Sequence, residues 1–172
     1  MNSTKAMTAE DMEIRTDRMR FIKNHLSANL ALLAILFDVF YFVTVYRQDV
    51  GSYYYNIIIG ASIIYNLLFM LTVFLCSEGV KNYKIGYGYV AVLLGLLQAG
   101  RIFYLPLNAL NAPNPKVDAE SATVMTGGQF SFVAICLGIS AVLLIAAGIT
   151  GIMKTMTLNS YRAELEKNSK RD

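Results

Sequence analysis

The sequence predicts an all-α integral membrane protein, a four-transmembrane-helix bundle with cytoplasmic N- and C-termini. Three observations predict it. Of 172 residues, 55% are hydrophobic and 16% charged, against roughly 45–50% and about 25% in soluble domains. The apolar residues gather into four blocks of 20 or more positions that are apolar all round, whereas a soluble helix needs only one stripe. These blocks lack the alternation of membrane β-strands. A soluble globule, a disordered chain and a disulfide-stapled secreted domain are excluded together.

The N-terminal segment, residues 1–25, is polar but patterned. Thr8 followed by Asp11 reads as a helix cap with an acidic first turn. Met12, Met19, Ile22 and Leu26 then recur at helical spacing among Arg15, Arg18 and Lys23. This pattern predicts an amphipathic helix on the membrane surface, with docking on a partner as the alternative. No small-residue cleavage site follows the first span at Val45-Tyr46-Arg47-Gln48, so that span is expected to stay as an anchor.

A hydrocarbon core of about 30 Å needs roughly 20 helical residues. The transmembrane domain, 26–153, supplies four such spans, at about 26–46, 53–76, 85–105 and 129–153. A tight connection at 47–52 makes the first two a hairpin, and 77–84 is also short. Pro106, Pro113 and Pro115, with Gly127 and Gly128, punctuate a longer outer loop at 106–128, where 117–125 reads as a short surface helix. The tail, 154–172, keeps a weaker stripe of Leu158, Tyr161 and Leu165, which extends the fourth helix beyond the membrane.

Basic residues set the expected direction. Twelve of the 15 lie in the N-terminal segment, the 77–84 connection and the tail, which assigns those parts to the cytoplasm under the positive-inside rule. A plasma membrane, bacterial by its plain topology, is the expected location. The net charge of +3 reports topology and contact with anionic lipid rather than nucleic acid. Aromatic residues collect near the boundaries: Phe40, Tyr41, Phe42, Tyr46, Tyr53, Tyr54 and Tyr55 outside, Tyr83, Tyr87 and Tyr89 inside. An interfacial belt explains them.

Two charges fall inside spans, Asp38 in the first and Arg101 in the third. On insertion scales such a residue costs about 2.5–3.5 kcal/mol, so it faces the bundle interior and finds a partner. Ser27, Ala31, Ala34 and Asp38 share one face, a small-residue seam leading to the acid. Ala91, Gly95 and Ala99 form a similar ridge on the third span, with Gln98 and Arg101 adjoining it at i, i+3. Asn66 lies near the middle of the second span, and Ser62 shares its face. Ala134 with Gly138, and Ala147 with Gly151, are the small pairs of the fourth. Asp38, Asn66, Gln98 and Arg101 are therefore expected to meet, either as an architectural ion pair or as a site for a polar or ionic substrate.

Little else carries chemistry. His25 is the single histidine, so neither bis-histidine haem ligation within one chain nor a metal set is expected. Cys76 and Cys136 differ in depth by more than about 15 Å at 1.5 Å per residue, too far for a disulfide. Gly86-x-Gly88 lacks the third glycine and preceding strand of a phosphate loop and reads as helix packing. The sequon Asn2-Ser3-Thr4 is expected on the cytoplasmic side and unmodified. With no Ser/His/Asp set at one depth, the expected function is non-enzymatic and without a cofactor. The first expectation is a subunit or accessory of a membrane assembly, with another membrane protein or a second copy of itself as partner besides the bilayer. A small oligomeric transporter or channel, using the Asp38/Arg101 cluster, is the alternative.

Overall fold

The computed structural model describes residues 8–46, 53–111 and 125–170. All regular structure among them is helical: α1 (Ala9–Ile22), α2 (His25–Tyr46), α3 (Tyr53–Lys81), α4 (Ile85–Asn111) and α5 (Gly127–Ser169). Four helices, in α2 to α5, are long and apolar enough to cross a membrane. The 47–52 connection, the 117–124 part of the expected surface helix and the sequon at 2–4 lie outside the described residues.

Helix α1 starts where the sequence places it. Thr8 accepts a hydrogen bond from the Asp11 N–H at 3.3 Å and donates its hydroxyl to the Asp11 carboxylate at 2.8 Å. Its end departs from expectation. Lys23 turns to φ 58°, ψ 171° while its N–H still donates to the Met19 carbonyl at 3.0 Å. The stripe from Met12 to Leu26 is thereby cut. Met12 and Thr16 are buried as α1 packs on α5, whereas Ile22 and Leu26 stay exposed.

Around the bundle, α2, α3, α4 and α5 follow in order, with α3 and α5 on a diagonal and the most extensive contact between α4 and α5. That contact is backbone against backbone. A Cβ added at Gly148 would lie 2.6 Å from the Gly88 carbonyl oxygen and 2.9 Å from the Val92 nitrogen. One added at Gly95 would lie 3.0 Å from the Ala141 carbonyl oxygen. Without lipid-side hydrophobic drive between helices, such close approach supplies the van der Waals contact that holds them. Ala31, Ala34 and Ala91 are also buried, within one apolar cluster with Leu144 and Ala147. Two expected packing positions behave differently. Ala99 is half-buried, and a Cβ at Gly138 would meet nothing within 4 Å, because α5 turns that residue away from its neighbours.

Helix α4 runs six residues past the expected end of the third span. Pro106 sits inside it, tolerated because a proline removes one helix hydrogen bond that membrane helices re-satisfy or leave near an end. The first part of the expected loop is thus helical. The chain returns at Met125, buried, whose N–H donates to the Ala109 carbonyl at 3.1 Å. Thr126 then opens α5 with a capping box closed by Gln129. From there α5 continues unbroken through the fourth span and most of the expected tail.

Two apolar clusters fill the interior. One holds Ala31, Ala34, Ala91 and Leu144, the other Tyr41, Val133, Cys136 and Leu137. Between Ala34 and Tyr41 on α2, and between Leu144 and Leu137 on α5, lie Asp38 and Ser140, both fully buried. A polar layer separates the two apolar ones.

Candidate functional site

The four expected residues meet in that layer. Asp38, Asn66 and Gln98 have no exposed surface, and Arg101 keeps 7%. Arg101 Nη1 donates to Asp38 Oδ1 at 3.2 Å and to Gln98 Oε1 at 2.9 Å, and Nη2 donates to Asn66 Oδ1. Gln98 Nε2 donates to Asp38 Oδ1 at 2.6 Å and to Ser140 Oγ at 3.3 Å. The Ser140 hydroxyl in turn donates to the Ala34 carbonyl at 3.0 Å. One network therefore ties α2, α3, α4 and α5 at a single level.

Helix geometry explains why it forms. Asp38 continues the small-residue face of Ser27, Ala31 and Ala34, all buried, so α2 presents the acid where neighbouring backbones come near. Gln98 and Arg101 sit one turn apart on α4 and reach the same carboxylate oxygen. Removing either charge alone would strand the other in low dielectric, where it is worth several kcal/mol. The pair is neutral overall, so the layer adds no net charge to the hydrocarbon.

Three aromatic rings complete the surroundings. The Arg101 guanidinium carbon lies 4.7 Å from the Tyr41 ring centre, 5.2 Å from Tyr65 and 5.5 Å from Phe69, within the range of cation–π attraction. Tyr41, expected in the outer belt, is instead fully buried with its ring against the Arg101 guanidinium, where cation–π attraction offsets part of the cation's desolvation. The sequence reading missed Tyr65, Phe69 and Ser140; only helical-face bookkeeping from Asn66 and Asp38 reaches them.

Some polar capacity is left over. Asp38 Oδ2, Asn66 Nδ2 and Arg101 Nε are buried with no hydrogen-bond partner among the described residues. One acceptor and two donors thus remain unused in this layer.

A second polar region, also missed, lies about 21 Å away along α2 at 1.5 Å per residue. Asn24, fully buried, donates its N–H to the Lys81 carbonyl at 3.0 Å and its amide to Ser27 Oγ at 2.7 Å. Its Oδ1 accepts from Lys154 Nζ at 3.1 Å. Ser27 Oγ lies 2.8 Å from Thr150 Oγ1, and the Ser77 hydroxyl donates to the Ala28 carbonyl at 3.1 Å. The α1–α2 joint, the end of α3 and the middle of α5 are thereby pinned together. Lys23, Lys81 and Lys154 make this the basic end of the bundle.

The remaining candidates play no part in either region. His25 is exposed at the start of α2. Cys76 and Cys136 are free and buried. Gly86 has open space around it, while Gly88 packs on Gly148 and Ile152. Among the described residues no group of three or more His, Cys, Asp or Glu is placed to hold a metal ion. No family model matches this chain, and neither a curated protein nor a solved structure is significantly similar to it.

Proposed function

We propose that this chain is a non-enzymatic multi-pass protein of the plasma membrane, with cytoplasmic termini, that serves as a subunit or accessory of a membrane assembly. The observation that carries the reading is the length of α5. Its 43 residues correspond to about 65 Å at 1.5 Å per residue, twice a hydrocarbon core of about 30 Å. The excess projects from the basic end as a helix whose Arg162, Glu164, Glu166 and Lys167 are exposed, a mixed-charge surface suited to pairing with another helix. Meanwhile most polar groups of the interior bond one another, which favours a rigid module that acts through its outer surface.

Purification from native membranes in mild detergent tests this. The full chain is expected to bring down a second membrane protein at fixed stoichiometry. Glu164→Lys with Glu166→Lys should weaken that association while leaving the bundle's unfolding midpoint unchanged. Recovery of a lone homo-oligomer would overturn the proposal.

A transporter or channel reading is favoured by one observation, the unpartnered Asp38 Oδ2, Asn66 Nδ2 and Arg101 Nε. Under it, Asp38→Asn and Arg101→Ala abolish uptake or efflux of a small polar solute in reconstituted vesicles. Flux that persists in those variants, with stability alone reduced, makes the layer architectural.

A further inference from the structure

Arg20 of α1, Lys23 at the α1–α2 joint, Asn82 and Tyr83 of the α3–α4 turn, and Leu158 and Arg162 of α5 line a half-open cavity of about 200 Å³. Three of these six side chains are cationic. Among the described residues none of the three has a carboxylate within ion-pair distance. Glu78 is taken by Lys81, and Glu166 by Lys170. Uncompensated cations around one concavity repel each other and focus a positive potential into it, which an anion relieves.

The backbone adds an independent observation. Lys23 and Tyr83 are the non-glycine residues with positive φ among those described, and both line this cavity. Lys23, at φ 58° and ψ 171°, occupies a region that is otherwise almost reserved for glycine. Strain of this kind persists where surrounding contacts enforce it, and it gathers at ligand clamps. Here the Asn24 N–H bonded to the Lys81 carbonyl holds the joint and turns Lys23 toward the cavity. Burial pushes the Tyr83 phenol above its ordinary range, so it keeps its proton and remains a donor.

The surroundings indicate depth. Phe21 is 89% exposed, and Ile22 and Leu26 are about half exposed, immediately beside Arg20 and Lys23. Apolar side chains on one side and cations on the other match a segment lying at the level of lipid headgroups.

We propose that this cavity binds a phosphate group, supplied by an anionic phospholipid headgroup or by a soluble phosphate. The exposed Phe21, Ile22 and Leu26 favour the lipid. Arg20 and Arg162 offer forked donors that match phosphate oxygens, Lys23 adds a point charge, and Asn82 and Tyr83 add neutral donors. Leu158 closes the apolar wall.

Native mass spectrometry of the full chain in detergent tests this with three probes: phosphatidylglycerol, phosphatidylcholine and inorganic phosphate. One phosphatidylglycerol is expected to be retained in preference to phosphatidylcholine, whose choline the cavity repels. Arg20→Gln and Arg162→Gln should each weaken retention about fivefold, and the double variant about 25-fold. Both residues are exposed, so the unfolding midpoint should not move. Lys23→Gly removes a charge and relaxes the backbone together, so binding falls while stability rises, an outcome that loss of folding cannot mimic. Inorganic phosphate that competes with the same arginine dependence supports the site and assigns its source to solution. Lipid or phosphate binding that is equal in the wild type and the double variant overturns the proposal, as does indifference between the two lipids when inorganic phosphate does not compete.

Discussion

The layer around Asp38 and the junction around Asn24 stand on the same helices, about 21 Å apart along α2 at 1.5 Å per residue, yet their electrostatics are opposite. In the layer one cation meets one anion, and neutrality is reached inside the protein. At the junction Lys154 leans on the uncharged Asn24, and Arg20, Lys23 and Arg162 nearby have no carboxylate partner among the described residues. The difference follows from solvent. Mid-bundle charges have no water or lipid phosphate to lean on, so the chain must supply the counter-charge. At the boundary the surroundings supply it.

That contrast can be broken most forcibly at Arg101. Arg101→Met leaves the Asp38 carboxylate buried without a counter-charge, held by Gln98 alone, and should cost about 3–5 kcal/mol in detergent unfolding. Adding Asp38→Leu should return most of that loss, because a neutral apolar pair no longer needs desolvating. A double variant as unstable as the single would show that the layer is held by something other than charge balance.

The glycine seam joins the two regions, and Gly148→Ala should cost about 1–3 kcal/mol by pushing α5 off α4. Gly86→Ala is the matched control; with nothing within 4 Å of its Cβ, it should stay within about 0.5 kcal/mol. Equal effects at both positions would remove the seam from the account.

At the junction, Asn24→Ala deletes the bonds to Ser27 and Lys154 and should cost about 1–2 kcal/mol. The loss should be local, with faster hydrogen exchange in α1 while the Asp38 layer stays protected. Exchange that speeds up equally in both would mean that the regions are one cooperative unit. The smallest effect has the opposite sign. Lys23→Gly should add about 1 kcal/mol by releasing the positive-φ strain, and a fall in stability would show that Lys23 is unstrained there.

How legible these features are in the sequence depends on contrast. Asp38 and Arg101 stand out because a charge inside an apolar run has few places to go, and Gln98 and Asn66 follow from helical phase. Asn24 does not stand out, since a polar residue at the mouth of a span reads equally well as a solvated end, and Ser27 reads only as one of the small residues leading to Asp38. Ser140 hides among small residues and reveals itself only once the Ala34 carbonyl is known to face it. The break at Lys23 carries no glycine or proline to announce it. It is imposed by tertiary contacts, above all the bond from Asn24 to the end of α3. Pro106 misleads in the other direction, marking a boundary that α4 passes by six residues.

Along α5, Val133, Leu137, Ser140, Leu144, Ala147, Gly151, Thr155 and Leu158 are buried, at intervals of three and four. Leu137, Leu144, Gly151 and Leu158 recur every seven residues from beside the Asp38 layer to the basic cavity, with Thr155 one position off the alternating steps, and the recurrence gives the helix a phase. Each residue turns a helix by about 100°, so deleting one between Ser140 and Leu158 would leave one end seated and swing the other out of register. Adding a whole heptad would lengthen the shaft by about 10.5 Å and preserve the angle. The spacing between the neutral layer and the charged cavity is therefore indexed: a step of seven residues restores the angle to within about 20°, while a change of one or two residues swings one end away from the other.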